Sequence, residues 1–368
     1  MAVVCVDLLA VRMAIWSEVL PHGYRWCLMS RVRVLVVDDS ATMRAILKLE
    51  LERDPNIDVI GLAADPLAAR AAIKASNPDV LTLDLNMPGM DGMEFLKRLM
   101  KLRPMPVVVV SSLVASNSDA AIDALSLGAF DCFLKPGDGV GAPAYDVLRG
   151  TVRAAANASV APSPRGDRVA DRGNVFTPNG WIVAIGASTG GVDALSQILG
   201  AFPANCPPTV ITQHMPRTFT GSFAERLNAR CAPTVTEATN GDALKVGHVY
   251  LAPGGSTHLE VCGRDKLLCR LREGPAVSGH RPSVDVLFRS LAKLGRNALG
   301  VILTGMGNDG ADGLKVLRDY GGHTLGQDAA SSLVYGMPRV AWNIGAVEKQ
   351  VSLSCMASEI LRQCRSGK

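Results

Sequence analysis

Short apolar runs that end in polar residues recur along this chain, and amphipathic stretches separate them. In the first half these runs are Arg33–Val37, Ile57–Leu62, Val80–Leu83, Val107–Val110 and Cys132–Leu134. Runs of this length with helix-forming stretches between them are typical of βαβ units, whose strands are buried on both faces. The pattern predicts a doubly wound α/β domain with a parallel sheet of five strands.

The same alternation begins again after residue 180. The predicted strands there are Trp181–Ile185, Thr209–Gln213, His248–Leu251 and Gly300–Thr304. Thr257–Cys262 and Lys266–Leu271 flank a Gly-Arg-Asp turn, which predicts an antiparallel hairpin. The predicted fold class is therefore α/β, with two doubly wound parallel-sheet domains and a hairpin in the second.

A change of composition separates the two regions. Residues 143–178 are rich in Ala, Pro, Ser, Arg and Gly and have little apolar periodicity, which indicates a linker in which Tyr145–Ala156 forms at most a short helix. We predict a first domain at 31–142, this linker at 143–178 and a second domain at 179–368. Residues 1–30 carry neither pattern, and we predict that they are a disordered extension or a start-site artefact ahead of Met29.

Charge and cysteine content limit the function classes. With 368 residues, 48% hydrophobic and 20% charged, the chain has globular composition, and a net charge of +4 is too small to indicate nucleic-acid binding. Residues 31–142 hold 12 Lys and Arg against 15 Asp and Glu, whereas residues 179–368 hold 19 against 14. Nine Cys without a C-x-x-C pair favour a reduced, cytoplasmic protein, and the apolar stretch after Met1 is too interrupted for the ~20 residues of a membrane span.

Polar residues follow four predicted strands of the first domain. They are Asp38 with Asp39, Asp84, Ser111 and Lys135. Each of these alone is more often a strand-end cap or a surface ion pair. Together, at βα spacing on the carboxyl edge of one sheet, they predict a Mg²⁺ site where Asp84 acts as a phosphate-accepting nucleophile.

A possible hydrolase triad follows strands of the second domain. Ser188 lies in Gly186-Ala187-Ser188-Thr189-Gly190-Gly191, a small-residue turn between a predicted strand and a predicted helix. His214 and Asp309 follow two other predicted strands, so all three side chains are expected at one sheet edge. Individually, His214 is more often a satisfied polar residue and Asp309 a structural turn residue. Jointly they predict a Ser-His-Asp mechanism that needs no metal or other cofactor.

The first domain resembles the receiver domain of response regulators over about Arg33 to Gly137. The segment Asp84-Leu85-Asn86-Met87-Pro88-Gly89-Met90-Asp91-Gly92 is its most specific part. The resemblance implies phosphorylation of Asp84 and Mg²⁺ held by Asp38, Asp39, Asp84 and the backbone carbonyl of Asn86. It also implies Ser111 and Lys135 as switch residues. Cys132 departs from the family, where an aromatic residue often stands three positions before the lysine.

The second domain resembles the CheB family of protein-glutamate methylesterases over about Trp181 to Val351. The matching segments include Gly186–Gly191, Gln213–Pro216, Ser222–Leu227, His248–Gly255, His280–Asp285, Thr304–Gly310 and Tyr335–Pro338. The resemblance implies Ser188 as nucleophile, His214 as base, Asp309 as its orienter, and an oxyanion site at the backbone of Thr189, Gly190 and Met306. Ala329 departs from it, because an acidic residue is expected there.

Both resemblances imply a phosphorylation-regulated hydrolase that demethylates glutamyl methyl esters on chemotaxis receptors and deamidates receptor glutamines. The implied partners are a chemotaxis histidine kinase as phosphodonor and the receptors as substrate, with neither nucleic-acid binding nor membrane insertion. We further predict that the unphosphorylated receiver covers Ser188 and that phosphorylation of Asp84 weakens this docking. A methylesterase-like regulator of another pathway, a non-catalytic scaffold and a DNA-binding response regulator remain as alternatives.

Overall fold

The computed structural model describes residues 31–87, 91–112, 118–135, 142–158 and 176–366. The extension predicted at residues 1–30 and the central part of the predicted linker lie outside these ranges. Among the described residues, no helix combines the length and the apolar character that crossing a bilayer requires.

The first sheet has five parallel strands in the order β2-β1-β3-β4-β5. The strands are β1 (Val32–Val37), β2 (Ile57–Ala63), β3 (Val80–Leu83), β4 (Val107–Ser111) and β5 (Asp131–Leu134). Four helices connect them in turn: α1 (Ala41–Glu52), α2 (Pro66–Ser76), α3 (Gly92–Leu102) and α4 (Ser118–Ser126). The central strand β3 is fully buried, as expected for a parallel sheet with helices on both faces.

A fifth helix, α5 (Ala142–Ala156), follows β5 and is longer than the sequence predicted. Leu148, Val152 and Ala155 are buried on the face of the first sheet, and Arg153 pairs with Asp54 at 2.6 Å. These apolar side chains recur at helical spacing, but Ala, Gly and Arg surround them and obscured the pattern. The expectation of at most a short helix was therefore wrong, and the first part of the predicted linker packs against the first sheet.

The second sheet has seven parallel strands in the order β14-β13-β12-β6-β7-β9-β8. Its strands are β6 (Ile182–Ala187), β7 (Thr209–Gln213), β8 (Thr234–Glu237), β9 (His248–Leu251), β12 (Ala298–Ile302), β13 (His323–Gln327) and β14 (Lys349–Val351). Strands β10 (Thr257–Cys262) and β11 (Leu268–Glu273) form the predicted antiparallel hairpin. The sequence missed β8, β13 and β14, which are short or carry few apolar residues.

Helices cover both faces of the second sheet. The helices are α6 (Gly191–Gly200), α7 (Arg217–Arg230), α8 (Val284–Leu291), α9 (Ala311–Asp319), α10 (Met337–Asn343) and α11 (Leu353–Gln363). Side chains of α6, α7 and α11 pack into one buried cluster, and those of α8, α9, α10 and the hairpin pack into another. The two doubly wound parallel sheets confirm the predicted fold class. Because the strands of each sheet are parallel, their carboxyl ends lie along one edge of that sheet.

Candidate active site

Ser188 lies in the tight turn between β6 and α6. Its N–H donates to the carbonyl of Thr304 at 3.0 Å, and its carbonyl accepts from Gly191 at 2.7 Å. Gly190 has a φ of +80°, and a Cβ atom there would lie 2.8 Å from Leu333, so only glycine fits this position. The backbone of the turn is therefore fixed, and it presents Ser188 at the N-terminal end of α6.

His214 follows β7, the strand next to β6. Its N–H donates to the carbonyl of Ala187 at 3.0 Å, which places it beside the serine turn. The buried Gln213 side chain joins the two segments, because its amide nitrogen donates to the carbonyls of Ser188 at 2.9 Å and of His214 at 3.1 Å. The histidine side chain is only 7% exposed, and its Nε2 lies 2.8 Å from Asp309 Oδ2.

Asp309 is a buried carboxylate that accepts hydrogen bonds from several donors. It accepts hydrogen bonds from Ser283 Oγ at 2.7 Å, from the N–H of Val284 at 2.7 Å and from the N–H of Asp285 at 3.1 Å. Burial opposes its charge, but the hydrogen bond and charge of His214 and the donors at Ser283 and Val284 hold its pKa below the ordinary value. An ionised carboxylate accepts only, so the proton of the His214 ring lies on Nε2.

This proton position leaves Nδ1 of His214 as the basic atom. Nδ1 is buried and has no hydrogen-bond partner within the described residues, and Ser188 and His214 line the same cavity. Nucleophile–base hydrogen bonds are often long in unliganded enzymes and shorten when substrate binds. The sequence-predicted triad is thus assembled as a His214–Asp309 pair with Ser188 beside it.

The predicted oxyanion donors surround the serine turn. The N–H groups of Thr189, Gly190 and Met306 form no backbone hydrogen bond in the described part of the chain. Thr189 and Gly190 directly follow Ser188, and the carbonyl of Thr189 accepts from Thr304 Oγ1 at 2.9 Å, which fixes the peptide plane that follows. Free N–H groups at a helix N-terminus are suited to stabilising a developing negative charge.

The acidic pocket lies at the carboxyl edge of the first sheet. One oxygen from each of Asp38, Asp39 and Asp84 can be chosen so that all lie within 4.8 Å of one another. Lys135 Nζ lies 2.7 Å from Asp38 Oδ2 and also pairs with Asp84. Burial and the charge of Asp84 raise the pKa of Asp38, although Lys135 opposes this shift. The Asp38 and Asp84 carboxylates therefore repel each other, and a hard cation with oxygen ligands would relieve that repulsion. The donor set therefore fits Mg²⁺.

The remaining predicted receiver residues border this pocket. Ser111 ends β4 and is buried, and its carbonyl accepts from the N–H of Lys135 at 3.3 Å. The N–H of Asn86 donates to Asp84 Oδ1 at 3.0 Å, so Asn86 lies beside the predicted metal site. Cys132 is buried and packs toward α4, with Sγ 3.5 Å from the carbonyl of Ala121.

The first sheet and the serine turn are in contact. Thr189 Oγ1 donates to Asp131 Oδ2 at 3.0 Å, so the residue after the nucleophile bonds to the strand that leads to Lys135. Arg226 on α7 pairs with Asp123 on α4. A cavity of about 580 Å³ between the two regions is lined by Ser188 and His214 on one side and by residues 125–132 on the other. The α4–β5 region of the first domain therefore faces the serine edge.

Two protein-family models match this chain. A family model described as CheB methylesterase matches residues 183–360, and one described as response regulator receiver domain matches residues 34–140. A relative from Caulobacter vibrioides named protein-glutamate methylesterase/protein-glutamine glutaminase 1 is 56% identical over 341 residues, which cover 90% of this chain and 98% of the relative. The chain belongs to the protein-glutamate methylesterase/protein-glutamine glutaminase family.

The chain is also similar to a second relative and to a solved structure. A Rhizobium johnstonii member of the protein-glutamate methylesterase/protein-glutamine glutaminase family is 56% identical over 346 residues, or 91% of this chain and 97% of the relative. The crystal structure of the Thermotoga maritima CheB methylesterase catalytic domain is 35% identical, with a TM-score of 0.49, and covers 50% of this chain and 98% of that chain. The 56% identity to these two relatives confirms the family resemblance predicted from the sequence, and neither a regulator of another pathway nor a non-catalytic scaffold is favoured.

Several residues of this methylesterase family member reach the site without having been predicted to do so. His280 stacks on His214, Ser283 binds Asp309, and His258 accepts the N–H of Ser283 through Nδ1 at 3.1 Å. A turn-like position in the sequence predicts a surface histidine at His258, which is wrong, because β10 carries it into the core at 1% exposure. The segment from His280 to Asp285 was part of the resemblance, so its sequence carried a signal, although no role was attached to His280 or Ser283.

Two other expectations concern substrate contact. Arg281 lies in a segment with Pro, Ser and Asp, which predicts that it either binds substrate carboxylates or caps a helix. Instead its guanidinium donates to the carbonyls of Gly255 at 2.7 Å and of Gly274 at 2.8 Å, which fastens two loops beside the site. Ala329 is exposed in the turn after β13, and no described contact links it to the triad.

Proposed function

We propose that this chain demethylates glutamyl methyl esters on chemotaxis receptors, and deamidates receptor glutamines, with Ser188, His214 and Asp309 as the catalytic triad. One observation carries the assignment: Asp309 binds Nε2 of His214, and the buried Nδ1 is left without a hydrogen-bond partner among the described residues. A histidine held in this tautomer is prepared to accept the proton of a serine hydroxyl.

The reaction follows from these positions. As Ser188 Oγ attacks the ester carbon, its proton passes to Nδ1 of His214, and Asp309 stabilises the imidazolium. The N–H groups of Thr189, Gly190 and Met306 stabilise the oxyanion of the tetrahedral intermediate. Return of the proton to the leaving oxygen releases methanol and an acyl-enzyme, which water hydrolyses to the glutamate. With glutamine the same steps release ammonia.

The acidic pocket supplies the regulatory input. We assign Asp84 as the phosphate acceptor, with Mg²⁺ bound by Asp38, Asp39, Asp84 and the carbonyl of Asn86 to screen the incoming charge. Burial opposes the ammonium charge of Lys135, yet Asp38 and Asp84 hold its pKa above the ordinary value, so it stays a cation that can bind a phosphoryl oxygen. Ser111 supplies a hydroxyl to the same group.

Docking of the receiver couples this input to the esterase. The contacts of Asp131 with Thr189 and of Asp123 with Arg226 hold the α4–β5 region across the serine edge, where a receptor helix has to approach. Phosphorylation adds charge at the carboxyl ends of β3, β4 and β5 and pulls Ser111 and Lys135 toward it. Because β5 carries both Asp131 and the residues that lead to Lys135, a shift of this strand weakens the docked state.

The remaining assignments follow from the family and the charges. The phosphodonor is a chemotaxis histidine kinase, and the substrates are the cytoplasmic helices of the receptors, so the protein acts in the cytoplasm. The excess of Lys and Arg in residues 179–368 suits an acidic helical substrate. We retain the start of the receiver at 31 and the second domain at 179–368, but move the end of the receiver from 142 to Ala156, because helix α5 packs on the first sheet; the proposed linker is then 157–178.

Methanol release from a methyl-esterified receptor fragment tests the triad. Ser188→Ala is expected to reduce the rate to background, while both sheets stay folded because only one hydroxyl is lost. Ser196→Ala is a matched control on α6, since that hydroxyl donates back to the carbonyl of Val192 at 2.6 Å and has no other partner among the described residues. If Ser188→Ala keeps most of its methanol release, the nucleophile is another residue.

A further inference from the structure

The ring of His280 lies flat against the ring of His214. The two centroids are 3.7 Å apart and the planes differ by 4°. The proposed mechanism uses only the edge of the His214 ring, with Nε2 on Asp309 and Nδ1 toward Ser188. One face of the catalytic imidazole is therefore covered by a second aromatic ring from another part of the chain.

His280 is itself held by its own segment. Its N–H and carbonyl form two backbone hydrogen bonds with Val277, at 2.9 and 3.0 Å. Within this turn Ser278 has a φ of +52°, a rare conformation for a residue with a side chain, and its Oγ donates to the buried Asp285 at 2.9 Å. The neighbouring Arg281 binds two loop carbonyls. The position of the His280 ring is thus set by the scaffold before substrate arrives.

The charges around the pair favour a neutral His280. Burial and the neighbouring His214 lower the pKa of His280 to about 4, against the opposing charge of Asp309. Asp309 binds Nε2 of His214. Asp285 lies at the start of α8, with its carboxylate 3.9 Å from the guanidinium of Arg289. The stacking partner is therefore an uncharged imidazole at neutral pH and does not repel the imidazolium that forms on His214.

We propose that His280 is a positioning residue, whose flat ring fixes the plane of the His214 imidazole while the proton moves between Ser188 and the leaving group. A ring held by one hydrogen bond at Nε2 can still tilt and swing Nδ1 away from the serine. Misplacement of a catalytic group by about 1 Å can cost roughly a hundredfold in rate. Stacking removes this freedom, and the face of a neutral aromatic ring also accommodates an adjacent cation.

Three substitutions of His280 in the full-length chain, activated with acetyl phosphate and Mg²⁺, test this inference. His280→Phe keeps a flat ring, His280→Leu keeps much of the volume without a flat ring, and His280→Ala keeps neither. We expect kcat for methanol release to fall about 10- to 100-fold in the Leu and Ala variants, with KM within about twofold. The Phe variant is expected to stay within about threefold of the unsubstituted protein.

Three results would overturn the role. Equal rescue by Phe and Leu would mean that His280 only fills space, and failure of Phe together with Ala would mean that its nitrogen atoms take part in the chemistry. The inference rests on the proposed triad, so the rate at which a fluorophosphonate labels Ser188 is measured in the same variants. If labelling follows the expected order but no methanol is released, the substrate assignment fails and the positioning role stands. If labelling and turnover are the same in all variants, the positioning role fails.

Discussion

Reversal of one ion pair tests whether the receiver restrains the esterase. Arg226 on α7 is 20% exposed and pairs with Asp123 on α4, which is 52% exposed. A pair with this exposure contributes about 0.5 to 1 kcal/mol, and replacing attraction with repulsion approximately doubles the change. Arg226→Glu should therefore destabilise the docked state by about 1 to 2 kcal/mol, provided that the two domains separate as rigid bodies.

The destabilisation of the docked state predicts the increase in the rate of methanol release. A factor of ten corresponds to about 1.4 kcal/mol, so the unphosphorylated Arg226→Glu protein should release methanol roughly 5 to 30 times faster than the unsubstituted protein. The rate in the presence of acetyl phosphate and Mg²⁺ should change little, because the receiver is then already displaced. Initial rates on a methyl-esterified receptor fragment, measured with and without the phosphodonor, give both numbers.

The restoring double variant and a neighbouring control make this experiment decisive. Asp123→Arg combined with Arg226→Glu rebuilds the pair with opposite polarity and should return the unphosphorylated rate to its low value. Arg230→Glu makes the same charge change one turn further along α7, at an exposed side chain that forms no ion pair within the described residues. The docking explanation is refuted if Arg230→Glu accelerates the enzyme equally, or if the double variant stays as fast as Arg226→Glu.

Three further predictions concern individual groups. Ser283→Ala removes the hydroxyl that donates to Asp309 and should lower kcat about tenfold with little change in KM. A hydrogen bond to a charged group contributes about 1.5 to 3 kcal/mol. Steady-state kinetics on the receptor fragment measure both constants. Asp39→Asn should raise the Mg²⁺ concentration needed for acetyl phosphate to modify Asp84 by about tenfold, measured by the mobility shift of the phosphoprotein, and an unchanged Mg²⁺ requirement would exclude Asp39 as a ligand. The folded-state pKa of His280 is about 4, below its unfolded value, so the stability it contributes is complete above about pH 6.5 and is lost as pH falls toward 4. Allowing for partial exposure, the free energy of unfolding should fall by about 1 to 2 kcal/mol more in the unsubstituted protein than in His280→Phe between pH 7.5 and 4.5; urea unfolding curves that shift equally in both proteins would contradict this.

Much of the architecture could be predicted because its signals are local. A buried parallel strand needs a short apolar run, and the polar residues that follow such strands collect at one edge of the sheet. Asp84, Ser188 and Asp309 were therefore identifiable from the sequence, since each follows a predicted strand. Helix α5 was underestimated because Ala, Gly and Arg dilute its apolar face.

The chemistry of the candidate site depends on contacts between distant segments. The sequence determined that a serine, a histidine and an aspartate would meet at one edge, but not which nitrogen of His214 would face Asp309. That was decided by the packing of α8 against the sheet, which brings Ser283 and two backbone N–H groups onto the carboxylate. His280 reaches the ring of His214 only because the loop after the hairpin folds back over the serine edge. Likewise, Asp131 and Thr189 are 58 residues apart in the chain, and their hydrogen bond exists only because the two sheets pack together. Residue pattern determines which side chains a strand delivers to its end, whereas tertiary packing alone determines what those side chains touch.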